Sequence, residues 1–387
     1  MTLLGRSGYV GLAKEVTQGT WVTPVYFLPC TKIDFETVYD QLQDLSYRGN
    51  DSNLQGLYQG PGSSTVDLEY PAYPDSLGYA LRIIGPDTVT AGITTTLSTT
   101  ITAGATSISV PVSIASGTTV MIGTGATVET FVSGAPSGSG PYTIPVATPT
   151  SGGLTYGHTS GVAVVTQTTH TFKQSASTAK PTYSLTEFNA FEDWGYPGCM
   201  LSDVSIKVDP KAICTVDAKF TGWIPTVQTG ITATFSEPAP LLGWQFGMTN
   251  AGASSTRGLT YTMDLKRPTE AIHASNGSQQ PREVFSGVLD ADVTYSAIYE
   301  SDTDYNLYLQ ALQGNPTSMT MTQPVGASVD AGGCSLTLTT TVPGWSKGKP
   351  DISGTYAKAD FTVNGIYNGT DGGSVQAILK NWTTAAY

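Results

Sequence analysis

The sequence predicts a mainly β protein made of two tandem β-sandwich or barrel units, each with one flanking α-helix, and a small inserted all-β domain. Charged residues make up only 12% of the 387 residues while the chain has 43 glycines, a composition that favours strands and turns. Short β-branched runs are separated by Gly, Ser and Pro. A pattern of two strands and a helix occurs twice, which predicts a first unit over 1–87 and 171–232, an insert over 88–170 and a second unit over 233–387.

The first unit contains two predicted strands and a predicted helix. CTKIDFET, residues 30–37, and STVDLEY, residues 64–70, alternate apolar and polar residues, as strands with one buried face do. The leucines and isoleucines of PDSLGYALRIIGP, residues 74–86, recur at helical spacing. Its first proline suits a first turn, and Gly85 predicts the end of the helix.

The insert differs sharply in composition from the rest of the chain. Between residues 88 and 170, Glu129 is the only charged side chain, and Gly, Thr, Ser, Ala and Val dominate. Such a tract is typical either of a disordered, mucin-like stalk or of a compact β domain. The runs TSISVPV, TTVMIGT and YTIPVAT, separated by turn residues, favour the compact domain.

The second unit repeats the pattern of the first. TYTMDLKR, residues 260–267, and VLDADVTY, residues 288–295, predict two strands, and SDTDYNLYLQALQGNP, residues 301–316, predicts a helix. Leu312 lies on the apolar face of this helix, and Gly314 suits its end. No insert follows the second helix.

The correspondence continues after the helices. GCMLSDVSIKV, residues 198–208, matches GCSLTLTTTV, residues 333–342, and AICTVDAKFTGW, residues 212–223, matches YAKADFTVNGIY, residues 356–367. These matches indicate an internal duplication.

Charge excludes one class of function and defines one candidate surface. The formal net charge is −12, whereas proteins that read nucleic-acid sequence need a basic surface to displace counterions. Seven carboxylates fall on the polar faces of equivalent predicted strands in both units: Asp34, Glu36, Asp67, Glu69, Asp264, Asp290 and Asp292. On these residues alone, the surface is equally well interpreted as a solvated sheet face.

Catalytic, metal and cofactor sites are not predicted. Cys30, Cys199, Cys214 and Cys334 are far apart, which favours buried free thiols over a zinc site or a disulfide framework. STAK, residues 177–180, matches SxxK without the companion motifs of that enzyme class. The three histidines have no nucleophile or triad partner nearby, so we expect them at the surface or in turns. The protein is therefore expected not to be an enzyme.

Targeting and membrane segments are not predicted either. The opening MTLLGRSGYVGLAK has no apolar h-region behind its arginine, and no run of about 18 apolar residues follows. We therefore expect synthesis in a cytoplasm and no membrane partner.

Three stretches carry a resemblance to a known family. GLAKEVTQGTWVTPVYFLP, residues 11–29, the helix PDSLGYALRIIG, and GCMLSDVSIKVDPKAICTVDAKFTGW, residues 198–223, resemble the major tail tube proteins of long-tailed, non-contractile bacteriophages. The resemblance implies a β-sandwich flanked by a helix, assembled into stacked rings around the channel through which the genome DNA passes. It further implies a structural role in the virion tail, synthesis in the host bacterial cytoplasm, and tape measure, tail terminator and tail tip proteins as partners.

The resemblance also implies roles for particular residues. The seven carboxylates are expected to line the tube lumen, where negative charge repels phosphate. Residues 1–30 are expected to form an arm that packs on a neighbouring subunit, although an edge strand of the chain's own sandwich is the alternative. The expected anchors of this arm are Trp21, Val25, Tyr26 and Phe27. Family rings commonly contain six single-unit subunits, so two units in one chain predict a trimer with pseudo-six-fold symmetry, and a hexamer if the duplication is illusory.

Two other functions fit part of the sequence. A secreted carbohydrate-binding or adhesive β-sandwich protein would use tryptophans as a sugar platform. The candidates are Trp21, Trp194, Trp223, Trp244 and Trp345. A capsid decoration protein would share the logic of repeated assembly.

Overall fold

The computed structural model confirms the mainly β class. It describes residues 8–49, 51–149, 153–175, 180–189, 191–235, 239–250, 253–309, 316–326 and 332–387. In these residues the chain forms 27 strands and two short α-helices.

The strands and helices follow the chain in four groups. The first group is β1 (Tyr9–Lys14), β2 (Tyr26–Leu28), β3 (Lys32–Asp44), β4 (Gly56–Pro71), α1 (Leu77–Leu81) and β5 (Asp87–Thr90). The second is β6 (Thr94–Thr96), β7 (Ser107–Val110), β8 (Thr119–Ile122), β9 (Glu129–Ser133), β10 (Tyr142–Thr148) and β11 (Ala163–Thr166). The third is β12 (Thr168–Lys173), β13 (Tyr183–Phe188), β14 (Asp193–Val208), β15 (Thr215–Gly222) and β16 (Thr226–Gln228). The fourth is β17 (Phe246–Asn250), β18 (Ala253–Ser255), β19 (Gly258–Lys266), β20 (Thr269–Ile272), β21 (Glu283–Ser286), β22 (Asp290–Ile298), α2 (Thr303–Leu309), β23 (Thr317–Thr322), β24 (Ser335–Thr340), β25 (Val342–Asp351), β26 (Lys358–Ile366) and β27 (Val375–Asn381).

Eight antiparallel strands form one continuous sheet, which we call the charged sheet. Its order is β3, β4, β15, β14, β19, β22, β26, β25. Side chains alternate between a buried face, with Val66, Leu68, Val293 and similar residues in the main core, and an exposed polar face. The buried face packs the sheet on the rest of the chain, and the polar face is left to solvent.

The charged sheet consists of two quartets with the same connectivity. The first quartet is β3, β4, β15 and β14, and the second quartet is β19, β22, β26 and β25. In each quartet the strands lie in the spatial order first, second, fourth, third along the chain. A helix follows the second strand of each quartet, namely α1 after β4 and α2 after β22.

β14 belongs to two sheets because it bends in its middle. Its first half pairs with β13 and β16, and residues 200–208 pair with β15 and β19. Gly198 lies at the bend with a φ of +66°, and a Cβ there would lie 2.7 Å from the indole ring of Trp223. Both the backbone conformation and the close ring require glycine at this position.

The outer sheets also correspond between the two units. Strands β2, β1, β13, the first half of β14 and β16 form one outer sheet, and β18, β17, β23, β24, β27, β12 and β5 form the other. The strand order matches β24 with the first half of β14 and β25 with its second half. The sequence match of 198–208 with 333–342 is therefore displaced, and the topological partner of 200–208 is β25.

The insert is a sheet with its own core. Its order is β6, β11, β8, β9, β10, β7, and its interior side chains include Val120, Phe131 and Val164. β5 and β12, which flank it, pair with each other and continue the second outer sheet next to β27. The sheet of the insert thus runs from Thr94 to Thr166, inside the limits that composition alone suggested.

Both predicted helices are present, and α1 is shorter than its sequence pattern. The spacing predicted helix as far as Ile84, whereas α1 ends at Leu81. The guanidinium group of Arg267 donates hydrogen bonds to the carbonyl oxygens of Ile83 and Ile84, at 2.6 and 3.1 Å. Residues 82–84 continue α1 as tighter turns, in which the N–H groups of Ile83 and Ile84 donate to the carbonyl oxygens of Ala80 and Leu81. Leu312 and Gly314 of the second predicted helix lie outside the described residues.

Candidate functional site: a charged sheet with two free edges

The structure places all seven predicted carboxylates on the polar face of the charged sheet. Asp34 and Glu36 lie on β3, Asp67 and Glu69 on β4, and the other three on β19 and β22. At most four strands lie between any two of them, so the seven carboxylates belong to one continuous surface rather than to scattered patches.

The two quartets place like charges at equivalent positions. Asp34 lies directly opposite Asp67 in the pairing of β3 with β4, and Asp264 lies directly opposite Asp292 in the pairing of β19 with β22. Like charges opposite each other in a strand pair destabilise the fold. Water and salt on the open face weaken this repulsion. Lys32 lies beside the first pair, and its Nζ donates to Asp67 at 2.7 Å, a bond that raises the pKa of Lys32.

This face also carries charged residues that the sequence pattern did not predict to lie there. Asp203 and Asp217 add two carboxylates, and lysines alternate with them on neighbouring strands. These lysines are Lys207, Lys219 and Lys266. The alternating pattern of DVSIKV and TVDAKF indicates two further strands with a polar face. The sequence does not show that these strands lie between the two predicted strand pairs in the folded sheet. The face therefore carries mixed charge in which carboxylates outnumber lysines.

The edges of the charged sheet carry opposite charges. Among the described strands, β3 forms one edge and pairs with β4 alone, and β25 forms the other edge and pairs with β26 alone. Exposed carboxylates Asp34 and Glu36 lie on β3, whereas exposed Lys347 and Lys349 lie on β25. Unpaired backbone N–H and C=O groups on such edges accept a further strand.

The junction between the quartets is formed inside the chain. β14 pairs with β19 over six residues, from Asp203 opposite Lys266 to Val208 opposite Tyr261. Residues 267–289, which we call the return hairpin, contain β20 and β21 and fold back over the first unit. Gln280 accepts a hydrogen bond from the backbone N–H of Ile224 at 2.8 Å and donates to its carbonyl oxygen at 3.1 Å.

The equivalent connection of the first quartet is not packed in this way. Residues 38–58, which we call the ribbon, extend β3 and β4 beyond the body of the sheet. Large apolar side chains on the ribbon are exposed: Val38, Leu42, Leu45, Tyr47, Leu54, Leu57 and Tyr58. An exposed group of this size marks an interaction surface.

The opening segment pairs with its own chain. β1 pairs with β13 and β2 pairs with β1, so the segment forms the edge of the first outer sheet. Phe27 is buried next to Tyr9, with ring centroids 5.6 Å apart, and Tyr26 lies 5.9 Å from Tyr79. Trp21 is partly buried, and Val25 is 73% exposed. Contact with a neighbouring subunit stays a prediction, for which Val25 has the free surface.

The histidine prediction is wrong for two of the three residues. His158 and His170 are buried, and each contacts a carboxylate. Nε2 of His158 lies 2.8 Å from Glu129, and Nδ1 of His170 lies 2.9 Å from Asp87. The first pair ties the loop before β11 to β9, where Glu129 also accepts the N–H groups of Thr155 and Tyr156. The second pair joins β12 to β5, and Nε2 of His170 lies 2.9 Å from the carbonyl oxygen of Thr383.

The cysteines are free thiols, as predicted, with Cys30 half-buried and the other three buried. Burial raises the pKa of Cys30, Cys214 and Cys334 to about 12, so these thiols stay protonated and unreactive at neutral pH. In the described residues, no three His, Cys, Asp or Glu side chains are grouped as metal ligands. Ser177 of the SxxK match lies outside the described residues.

The candidate sugar platform is not a common surface. Trp345 is buried against Tyr295 and Phe361 in the core of the second unit. Trp223 packs on Gly19 and Gly198 of the first unit, whereas Trp244 is exposed. No helix in the described part of the chain is long and apolar enough to cross a bilayer.

Comparison with known proteins identifies the family. The search of curated proteins found no match to the chain. The family model described as phage tail tube protein matches residues 5–365, which is nearly the whole chain. The resemblance seen in the sequence is confirmed, and with it a structural role in the virion tail. The chain belongs to the phage tail tube protein family.

Proposed function

We propose that three copies of this chain close into a ring and that stacked rings form the tail tube through which the genome DNA enters the host. The observation that carries the proposal is the charged sheet, in which two quartets of identical strand order lie side by side. Each chain then supplies two of six equivalent positions, and three chains of eight strands give a closed sheet of 24 strands. Assembly takes place in the host cytoplasm, with tape measure, terminator and tip proteins as partners.

The junction of β14 with β19 serves as a template for the seam between copies. β25 corresponds to β14, and β3 corresponds to β19, so β25 of one copy pairs with β3 of the next. The ribbon then covers the second unit of the neighbouring copy, as the return hairpin covers the first unit inside the chain. This arrangement pairs both free edges and covers the exposed apolar side chains of the ribbon.

The register of this seam follows from the register inside the chain. The matches of IDF at 33–35 with MDL at 263–265, and of VDLEY at 66–70 with ADVTY at 291–295, make Asp34 equivalent to Asp264. The strand pairing then makes Lys347 equivalent to Ser205, which lies opposite Asp264. Lys347 of one copy therefore lies opposite Asp34 of the next copy.

Charge reversal tests this seam. Lys347→Glu places like charges opposite each other at all three seams of a ring, so we expect tube formation to be lost while the subunit stays folded. Asp34→Lys should have the same effect. The double variant Lys347→Glu with Asp34→Lys restores opposite charges and should restore tubes. Lys211→Glu, on an exposed turn away from the seam, is the matched control and should assemble normally.

Electron microscopy of the tubes with rotational averaging reads out the result. Rings with three-fold modulation support three chains per ring. Rings with true six-fold symmetry contradict the trimer while leaving the tail tube function in place. Failure of the double variant to assemble, with both single variants folded, contradicts the register.

The polar face of the charged sheet is proposed to line the channel. Its carboxylates repel DNA phosphates, and those next to lysines keep these lysines from binding DNA, as Asp67 does for Lys32. This mixed surface lets DNA pass without holding it. The insert, whose core is separate from that of the body, is placed on the outside of the tube, where it does not obstruct the channel.

Neutralisation of the face tests this role. Replacing Asp67, Glu69, Asp290 and Asp292 by their amides should slow DNA ejection several-fold at low salt, because the lysines left behind attract phosphate. The rate is measured by dye fluorescence as DNA leaves phage particles that carry the variant. The control replaces Glu192, Glu300 and Asp371, which are exposed on other surfaces. Unchanged ejection in the first variant contradicts the channel assignment.

A further inference from the structure

A cleft on the first unit is lined by four cationic side chains. The cleft has a volume of about 870 Å³ and lies between the end of β1, the residues after α1 and the return hairpin. Lys14, Arg82, Lys180 and Arg267 line it. The chain has only 18 lysines and arginines against 30 carboxylates, so four cations around one cleft are an unusual concentration.

One of these cations, Arg82, has a side-chain N–H group without a hydrogen-bond acceptor among the described residues. Each of the three side-chain nitrogens of Arg267 donates a hydrogen bond, to the carbonyl oxygens of Ile83, Gly287 and Ile84. Arg82 is only 7% exposed, yet its Nε has no hydrogen-bond partner among the described residues. A buried guanidinium donor without an acceptor is costly to keep.

Carboxylates offset only part of this charge, because Glu15 and Glu283 line the cleft against four cations. Within the described residues none of the four cations forms an ion pair with an Asp or Glu side chain, although Lys14 and Lys180 each donate to a backbone oxygen, at 3.2 and 2.7 Å. The carboxylate of Glu15 accepts hydrogen bonds from Ser184, Gly19 and Gly198, and in the described part of the chain none of the four cations donates to it. Glu283 lies on the exposed rim.

The cations also repel one another. Burial and then the charge of Arg82 lower the pKa of Lys14, and burial followed by the charges of Arg267 and Arg82 lowers the pKa of Lys180. An anion placed among them relieves this repulsion and supplies the acceptor that Arg82 lacks.

We propose that this cleft is an oxyanion site and that, in the tube, a carboxylate side chain of a second copy of this chain occupies it. The second part rests on the proposed function. Two features favour a side chain carried on a protein segment over a small free ion. The volume is many times the roughly 30 Å³ that one water occupies. The rim is apolar and exposed, with Val16, Phe285 and Val288 available for contact.

The first experiment tests the site on unassembled subunits. Inorganic phosphate serves as the probe, and calorimetric titration at constant ionic strength, with chloride as the reference anion, measures its binding. We expect saturable binding that Arg82→Gln and Lys180→Gln each weaken at least ten-fold. Arg82→Lys, which keeps the charge, should weaken it less, and the control Lys211→Gln should leave it unchanged. Circular dichroism checks folding, and Lys180→Gln, which is only partly buried, carries the test if Arg82→Gln does not fold.

The second experiment tests the occupant. Assembly is followed by light scattering in chloride buffer free of oxyanions, and we expect Arg82→Gln and Lys180→Gln to raise the protein concentration needed for tubes at least five-fold. Weaker assembly without phosphate binding supports a carboxylate presented only by a neighbouring copy. Phosphate binding with unchanged assembly overturns the assignment to a neighbouring copy and identifies a free oxyanion. If phosphate does not bind and the variants assemble like the wild type, the proposed site is overturned. If the wild-type chain forms no tubes, the proposed function fails, and the phosphate titration still decides the site.

Discussion

The ribbon and the return hairpin connect equivalent strands in the two quartets, yet only the return hairpin packs on the chain. The return hairpin is tied to the first unit by Gln280, by Arg267 and by the hydroxyl pair of Thr221 and Thr269 at 2.7 Å. The ribbon extends from the sheet with seven large apolar side chains exposed. We infer that one unit-to-unit junction is completed during folding and propose that its counterpart forms with another copy.

This comparison separates stability from assembly. Residues at the completed junction should affect the free energy of unfolding, because their partners are in the same chain. Residues on the ribbon should affect assembly, since their partners lie in another copy.

Arg267 is the residue whose loss should most weaken the completed junction. Arg267→Gln leaves buried carbonyl oxygens of Ile83, Ile84 and Gly287 without their donor, so we expect the free energy of unfolding to fall by about 3 kcal/mol. Urea denaturation of the unassembled subunit measures the change. Arg282→Gln, an exposed arginine on the same hairpin, is the matched control and should stay within about 0.5 kcal/mol of wild type. Equal effects of the two variants would refute the role of the junction.

A second difference between the units gives a pH-dependent prediction. β12 extends the outer sheet of the second unit, and His170 on this strand is fully buried between Asp87 and the carbonyl oxygen of Thr383. Burial opposes its charge, but the hydrogen bonds to Asp87 and Thr383 prevail and raise the pKa of His170 above 6.5. Because both ring nitrogens face acceptors, the doubly protonated ring fits best.

The sign of the pH effect follows from this raised pKa. The folded state binds the proton more tightly, so the stabilisation is complete below pH 6.5 and is lost as the pH rises through the folded-state pKa. We expect the melting temperature of the wild type to fall between pH 6 and pH 9 more than that of His170→Gln. Parallel pH profiles of the two proteins would show that His170 does not contribute. His273→Gln, which is exposed, is the control.

The class of fold and the polar face of the sheet could be predicted from the sequence because both depend on the alternation of apolar and polar residues along each strand. The seven carboxylates follow a period of two, which strands impose wherever one face is buried. The ends of elements and the burial of single polar groups depend on distant residues. The carbonyl groups just after α1 are bound by Arg267, about 180 positions later, and Glu129 is buried in the insert together with His158, which lies on the segment before β11.

The same limit explains the displaced sequence match and the missed lysines. β14 is one bent strand, whereas β24 and β25 divide the same path between two strands, so aligning the letters shifts the partners by about half a strand. Lys207 and Lys219 stand beside carboxylates of other strands only after the sheet has formed. The order of the strands in the sheet determines both the partner of β14 and the neighbours of the lysines, and the sequence alone does not give this order.

The ribbon should give the smallest effect on unfolding and a large effect on assembly. Leu42→Gln and Leu57→Gln replace side chains that are more than half exposed, so we expect the free energy of unfolding to change by less than about 0.5 kcal/mol. In the proposed ring these side chains are buried against the next copy, so losing two of them in every seam should raise the concentration needed for tubes at least ten-fold. Val112→Gln, at an exposed position of the insert, which is proposed to lie outside the tube wall, is the matched control. Assembly unchanged by the ribbon variants would mean that the ribbon is not the counterpart of the return hairpin. Destabilised subunits would mean instead that the ribbon already packs on its own chain, and the comparison between the two connections would then fail.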